Sequence, residues 1–100
     1  ILEPTLLVLL KEQPRHGYSL LGDIETMGMT TIHPSVVYRT LREMEELEWI
    51  QSDWDTDQTQ GPPRRIYRLT AQGEEALQNW RHELEKAQKM ISDLLRRIES

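Results

Sequence analysis

The sequence has no cysteine and no phenylalanine, and it contains only five glycines and five prolines among 100 residues. Without cysteine the chain can form no disulfide, no thiolate zinc site and no cysteine nucleophile. The longest apolar run, Leu6 to Leu10, is too short to span a bilayer. We therefore expect one small cytoplasmic domain with no membrane partner, whose thin core is supplemented by a second subunit.

Basic side chains are in the minority, with 12 Lys and Arg against 17 Asp and Glu and a formal net charge of −5. This balance argues against a protein that coats nucleic acid without sequence preference. It leaves open a sequence-specific binder whose basic groups are gathered on one face.

Groups that would form an active site or a metal site are also missing. His16, His33 and His82 do not have the spacing of a ligand pair, so solvated or turn histidines are expected. No serine–histidine–acid set, carboxylate pair or phosphate-binding glycine loop can be assembled. The sequence therefore predicts no enzyme, no metal and no cofactor.

The first half of the chain contains three predicted helices. The first follows Pro4 and is apolar almost all the way round, so it must be covered on more than one side. The second fits residues 18–27, with Gly28 as its C-terminal cap. After a short bridge strand at residues 30–32, Pro34 and Ser35 open a third helix that runs to about Glu48. Its predicted inward stripe is Val37, Leu41, Met44 and Leu47.

The outward face of this third helix is split by charge. Its N-terminal half carries Tyr38, Arg39 and Arg42, and its C-terminal half carries four glutamates. The N-terminal half of such a helix is the part that a helix-turn-helix protein presents to base edges.

Two alternating segments, residues 50–55 and 65–69, predict a β-hairpin with a long tip stiffened by Gly61, Pro62 and Pro63. Thr70 then reads as the N-cap of a last helix, with Glu74 and Glu75 in its first turn. The predicted fold is mainly α with a small β-hairpin. It is a winged helix-turn-helix over residues 1–70, followed by a C-terminal dimerisation helix over residues 71–100.

The last helix carries apolar residues at alternating steps of three and four, which is the pattern of a coiled-coil seam. About three heptads of seam need an apolar partner, and self-association is the economical answer. The apolar first helix is expected to pack there too. The predicted dimerisation residues are Leu6, Leu7, Leu10, Leu77, Trp80, Leu84, Ala87, Ile91, Leu94 and Ile98.

Several of these residues have two interpretations. Arg64 and Arg65 on the hairpin either contact a DNA backbone or only balance nearby aspartates, among them Asp53, Asp55 and Asp57. Ser35 is a hydroxyl donor for a phosphate, an N-cap, or both. Trp80 is either a seam residue or the wall of an apolar cavity between subunits that stacks on a flat ligand.

Four segments resemble the PadR family of bacterial transcriptional regulators: HGYSL, PSVVYRTLREMEELEWI, PRRIYRLT and TAQGEEAL. The match covers about residues 16–77, and the combination is specific. The segment VYRTLREMEE with the later WDT and GPPRR also resembles a subgroup of polyhydroxybutyrate-responsive repressors.

The resemblance implies a winged helix-turn-helix repressor that dimerises through its C-terminal helix and binds a two-fold symmetric operator. It places Ser35, Tyr38 and Arg39 on the recognition helix and Arg64 and Arg65 on the wing. Many members have Gly-Thr-Leu-Tyr-Pro where this chain has residues 35–39, which predicts a different base preference. The usual glycine after the leucine–glutamate repeat is replaced by glutamate at position 48, which puts a sharp helix end in question.

The sequence thus predicts a DNA-binding regulator whose partners are a double-stranded operator, a second copy of the chain and a small-molecule inducer at the dimer interface. The predicted DNA-binding residues are Ser35, Val36, Tyr38, Arg39, Arg42, Arg64 and Arg65. A protein-interaction adaptor that uses the winged helix only as a scaffold is the alternative, which the acidic charge supports and the clustered arginines do not.

Overall fold

The computed structural model describes residues 1–55 and 64–100. In chain order the elements are α1 (Leu2–Glu12), β1 (Arg15–His16), α2 (Gly17–Thr26), α3 (Pro34–Glu46), β2 (Ile50–Asp55), β3 (Arg64–Leu69) and α4 (Ala71–Glu99). The hairpin of β2 and β3 is called the wing below. The predicted hairpin tip, with Gly61, Pro62 and Pro63, lies outside the described residues.

The sheet is antiparallel, with β3 between β1 and β2. The short strand predicted at residues 30–32 is wrong, because that segment has no strand and the third strand comes earlier, at Arg15–His16. There Arg15 lies opposite Tyr67 and His16 opposite Ile66. Two residues carry no periodicity that a sequence could reveal, so this strand exists only because β3 offers an open edge.

The core forms where α1 packs against α2, β3 and α4. This confirms that α1 is covered on several sides. It also corrects part of the predicted dimer seam, because Leu6, Leu7, Leu10 and Leu77 are 0 to 8% exposed inside a single protomer. These leucines have almost no surface left for a second subunit. On α1, Val8 is only half-buried and lies beside α4, so part of its side chain is still accessible.

Arg15 joins three elements at the start of the sheet. Its guanidinium donates to the Leu9 carbonyl at 2.9 Å, to the Asp23 carboxylate at 2.9 Å and to the Glu12 carboxylate at 2.8 Å. Since the side chain is only 14% exposed, these acceptors replace the water that it loses. The turn between α1 and α2 is therefore held firmly, and it presents His16, Gly17 and Tyr18 to the wing.

Helix α2 ends as predicted, in a left-handed glycine. Gly28 has φ +93, its N–H donates to the Glu25 carbonyl at 3.0 Å, and the Met29 N–H donates to the Ile24 carbonyl at 3.1 Å. This is the Schellman pattern, which satisfies carbonyls that the helix end leaves open.

Helix α3 ends in the same way without a glycine. The Trp49 N–H donates to the Met44 carbonyl and the Glu48 N–H to the Glu45 carbonyl, both at 3.0 Å, while Glu48 itself has φ +64. The helix therefore stops sharply at Glu46 although glutamate is strained in this conformation. The turn also carries Leu47 away from the predicted inward stripe, and its side chain is 54% exposed.

Candidate nucleic-acid interface

The exposed face of α3 carries four of the predicted contact residues. Ser35, Tyr38, Arg39 and Arg42 are all exposed, and their spacing of three, four and seven residues places them on one face of the helix. Val36 is half-buried, so it has less surface to offer than the other four. The opposite face holds α3 on the protein through Val37, Leu41 and Met44, which are fully buried.

The N-cap of α3 is His33, which corrects the prediction that Ser35 caps the helix. The His33 Nδ1 accepts the Ser35 backbone N–H at 3.1 Å, and Pro34 occupies the first turn. The Ser35 hydroxyl lies 2.8 Å from the same nitrogen. The cap thus comes from the residue before the proline, and the serine hydroxyl stays exposed at the start of the helix.

Two arginines of the wing, Arg64 and Arg65, lie on aromatic rings. The Arg64 Cζ is 4.3 Å from the ring centroid of Tyr18, and the Arg65 Cζ is 4.6 Å from that of Trp54. Stacking of this kind holds a guanidinium plane in place while leaving its N–H edge available. His16 also stacks on Tyr18, with 5.5 Å between the two ring centroids.

The predicted pairing of Arg64 and Arg65 with aspartates is only partly reflected in the register. Asp55 lies directly opposite Arg64, whereas Trp54 lies opposite Arg65. The Asp55 carboxylate is also 2.8 Å from the His16 Nε2. Asp57 lies outside the described residues.

Arg65 is also connected to α3. Its guanidinium donates to the Ser52 hydroxyl at 2.7 Å, and that hydroxyl donates to the Glu45 carboxylate at 3.0 Å. A chain of two hydrogen bonds thus connects β3, β2 and α3. Arg65 is half-buried and engaged within the protein, whereas Arg64 is exposed.

An open cleft lies between the wing and α3. It has a volume of about 450 Å³, and it is called the tyrosine cleft below. It is lined by Gly17, Tyr18, Tyr38, Arg64, Arg65 and Tyr67. Three of the predicted contact residues, Tyr38, Arg64 and Arg65, therefore meet at one place, while the other four lie on α3 outside its lining.

Gly17 allows the tyrosine rings to approach each other. A Cβ at this position would lie 3.1 Å from Tyr38 Cε1 and 3.3 Å from Tyr67 Cε2, which is tighter than normal packing. Burial raises the pKa of Tyr67, and the Glu45 carboxylate raises it further, although Arg65 opposes the shift. A neutral hydroxyl is therefore favoured at the base of the cleft.

Sequence reasoning assigned no role to Tyr18, Tyr67 or Gly17. All three stand in the segments HGYSL and PRRIYRLT, which carried the family resemblance. Only the meeting of β1, α2 and β3 in space reveals that they line the same cleft as Tyr38.

The C-terminal part of α4 extends from the compact body, and the molecule is 60 Å long but only 27 by 21 Å across. Most large apolar side chains there are at least half exposed within the protomer. They are Met90, Ile91, Leu94, Leu95 and Ile98, at 54 to 77%, and Leu84 is 38% exposed. Ala87 is exposed as well. No described element of the protomer covers this surface.

Trp80 lies where α4 leaves the body, and it is half-buried. It borders an open cavity of about 700 Å³ together with Leu47, Trp49 and Ala76, and polar residues of α4 complete the wall. This cavity is formed within one protomer.

Two classes of feature are absent from the residues that the structure describes. Residues 1–55 and 64–100 contain no cluster of three or more His, Asp or Glu side chains that could hold a metal ion. In the same ranges, no helix is both long and apolar enough to cross a bilayer.

Known proteins share both the sequence pattern and the fold. The model of the transcriptional regulator PadR-like family matches residues 6–79. A conserved protein of unknown function, described as a potential transcriptional factor, has a solved structure that is 37% identical, with a TM-score of 0.84 over 98% of this chain and 87% of its own.

Two further crystal structures share the fold at lower identity. A PadR family transcription regulator from Clostridium difficile is 21% identical, with a TM-score of 0.83 over 94% of this chain and 97% of its own. A PadR-like regulator from Bacillus cereus is 23% identical, with a TM-score of 0.82 over 94% and 90%. No curated protein matches this chain at a significant level. The predicted winged helix-turn-helix fold and the resemblance read from the sequence are confirmed, and the chain belongs to the PadR-like family of DNA-binding transcriptional regulators.

Proposed function

We propose that this protein is a cytoplasmic repressor that binds a two-fold symmetric DNA operator as a homodimer. Residues 1–70 form the DNA-binding unit and residues 71–100 the dimerisation helix. The observation that carries this proposal is the tyrosine cleft, where Tyr38 of the recognition helix meets Arg64 and Arg65 of the wing.

The recognition helix reads the operator with its N-terminal half. Val36, Tyr38, Arg39 and Arg42 contact base edges or the phosphates beside them, and Ser35 contacts the backbone. The support is the exposure of Ser35, Tyr38, Arg39 and Arg42 on one face and the anchoring of the opposite face in the core. The glutamates of the C-terminal half of α3 repel DNA phosphates, which disfavours docking of DNA against that end of the helix.

The wing contacts the DNA backbone through Arg64 and Arg65. Arg64 is exposed and lies on Tyr18, so its guanidinium is pre-oriented at little entropic cost. Arg65 has already committed a donor to Ser52, but an arginine has five donors and retains others for a phosphate. The net charge of −5 does not oppose this function, because Arg64 and Arg65 line the cleft and Arg39 and Arg42 lie on the exposed face of α3.

Dimerisation places two such units on one DNA duplex. The support is the apolar surface of α4 from Leu84 to Ile98, most of which no described residue of the protomer covers. Two recognition helices held by one dimer enter successive major grooves about one helical turn apart, and the bound dimer excludes polymerase.

A small-molecule inducer acts on the spacing between the two units. Trp80 is the residue that we assign to it, because a flat apolar ligand in the cavity between Trp49 and Trp80 would contact both the body and α4. A ligand there changes the angle at which α4 leaves the body, and with it the distance between the recognition helices. The membership in a polyhydroxybutyrate-responsive subgroup stays a prediction.

The decisive experiment is a gel shift with DNA selected from a random pool and with the region upstream of the gene, each against excess competitor DNA. We expect saturable binding that weakens steeply with salt. Arg64→Ala should weaken binding to every sequence and lower the salt slope by about 1. Arg81→Ala is the matched control, because Arg81 is exposed on α4 and pairs with Glu85.

An unselective or absent shift would contradict the repressor and favour a protein-interaction adaptor. Equal salt slopes for the wild type, Arg64→Ala and Arg81→Ala would contradict the role of the wing.

A further inference from the structure

We propose that the tyrosine cleft is the seat of one DNA backbone phosphate, and that the Tyr67 hydroxyl donates a hydrogen bond to it. This inference rests on the proposed function and adds a contact residue outside the recognition helix and the arginine pair.

The first observation is a tyrosine hydroxyl to which no described residue is hydrogen-bonded. Tyr67 is 8% exposed, and in residues 1–55 and 64–100 its hydroxyl makes no hydrogen bond to another residue. Because the residue is almost fully packed, its hydroxyl is held in one place, and its hydrogen-bonding capacity is left to a ligand or to water. Tyr67 lines the cleft, so the cleft is where that partner would lie.

The second observation is the charge and chemistry around it. Arg64 and Arg65 line the same cleft, and the hydroxyl-bearing side chains of Tyr18 and Tyr38 complete the wall. Guanidinium and hydroxyl groups are the donors that proteins use for phosphate oxygens. The nearest carboxylate of α3, Glu45, is engaged by the Ser52 hydroxyl, which in turn accepts from Arg65.

The third observation is that the cleft is assembled from rigid parts. Gly17 begins α2 beneath the rings of Tyr38 and Tyr67, where even one added carbon would crowd both. The Asp55 carboxylate lies 2.8 Å from His16 Nε2, and His16 stacks on Tyr18. The Arg64 guanidinium lies over the other ring of this stack, that of Tyr18. Five elements, namely β1, α2, α3, β2 and β3, thus hold the donors in place before DNA arrives, which reduces the ordering cost of binding.

The test is Tyr67→Phe, with a duplex selected from a random pool as the probe. A hydrogen bond to a charged group predicts an affinity loss of about tenfold or more for operator and unrelated DNA alike. The salt slope should stay unchanged because no charge is lost, whereas Arg64→Ala should lower it by about 1. The melting temperature of the free protein should stay the same or rise, because no residue in the described part of the chain is hydrogen-bonded to the removed hydroxyl.

A methylphosphonate scan of the same duplex locates the contact. At one backbone position in each half-site, replacing the charged oxygen should abolish the difference between wild type and Tyr67→Phe. A difference that persists on every modified duplex, a lowered melting temperature, or wild-type affinity for Tyr67→Phe would each overturn the inference. Wild-type affinity for Tyr67→Phe can be measured only if the wild type binds DNA, so that result would leave the proposed repressor function standing. A wild type that binds no DNA would overturn both this inference and the proposed function.

Discussion

The backbone of Gly73 in α4 lies directly against the carbonyl oxygen of Trp49, at the start of the wing. A Cβ on Gly73 would overlap that oxygen and would stand 2.5 Å from Leu69 Cδ1. Because the Thr70 N–H donates to the same Trp49 carbonyl at 3.0 Å, the backbone there is not free to retreat. The close approach fixes where the long helix leaves the compact body.

Gly73→Ala should therefore destabilise the protein, although alanine is the better helix former. We expect a loss of about 2 kcal/mol or more in the free energy of unfolding, from overlap that only a backbone shift relieves. Gly22→Ala is the matched control, because Gly22 also lies within a helix and nothing stands within 4 Å of its Cβ position. That variant should gain about 0.5–1 kcal/mol. Chemical denaturation at one protein concentration measures both, and equal effects would contradict the close approach.

Glu48→Gly should stabilise the protein. Glu48 holds φ +64 after α3, a conformation that costs an L-residue about 1–2 kcal/mol and glycine nothing. Since glycine also gains freedom in the unfolded chain, the net gain should be about 0.5–1 kcal/mol. Glu48→Ala separates strain from charge, because it removes the carboxylate near the negative end of the helix but keeps the strained backbone. Thermal melts in which alanine equals glycine would assign the effect to charge.

The sequence predicted the helix ends wherever a local rule was obeyed. Thr70 caps α4 by accepting the Gly73 N–H at 3.0 Å, and Gly28 closes α2, both as expected. Position 48 breaks the local preference for glycine, so no pattern could show that α3 would stop there. The turn holds because Trp49 and Met44 are fixed by tertiary packing and impose it on the residue between them.

The charged residues that line the tyrosine cleft could be singled out from the sequence, but the geometry of the cleft could not. Alternation in β3 showed that one face is buried, and Arg64, Arg65 and Tyr38 stood out as polar or basic residues. That Tyr67 would line the same cleft depends on β1 pairing with β3, and two-residue strands leave no trace in a sequence. Likewise, the apolar character of α1 predicted cover on several sides, but it could not divide that cover between the protomer's own core and a partner.

Alkaline pH should destabilise the protein through Tyr67. Its pKa is raised by burial and by Glu45, so the folded state keeps the proton after the unfolded chain has lost it. The contribution to stability is complete below pH 10, the ordinary tyrosine pKa, and is lost as pH rises through the folded-state value. Within this window the slope from one group is at most about 1.4 kcal/mol per pH unit.

Tyr67→Phe should remove this part of the alkaline loss and leave the remaining pH dependence unchanged. Denaturant melts from pH 8 to 11 compare the two proteins, and tyrosinate absorbance of the folded wild type should show a late step that the variant lacks. If the free energies of unfolding of the wild type and Tyr67→Phe changed in parallel from pH 8 to 11, the raised pKa of Tyr67 would be contradicted.

A charge in the exposed seam of α4 should separate the proposed dimer. Ile91 is 57% exposed in the protomer and stands in the a/d pattern, so Ile91→Glu leaves the protomer core untouched but buries an unpaired carboxylate at any seam between two copies. Such a charge costs several kcal/mol, which predicts a dimer dissociation constant about 100-fold higher or more. Ser92→Glu adds the same charge one residue away, outside the a/d positions, and should leave dimerisation intact. Sedimentation across a dilution series measures both against the 11.8 kDa protomer.

Because a lone protomer reaches only one half-site, Ile91→Glu should also lose operator affinity while keeping weak binding to unrelated DNA. A wild type that sediments as a protomer at every concentration, or an Ile91→Glu variant that dimerises as well as Ser92→Glu, would require another partner for this surface.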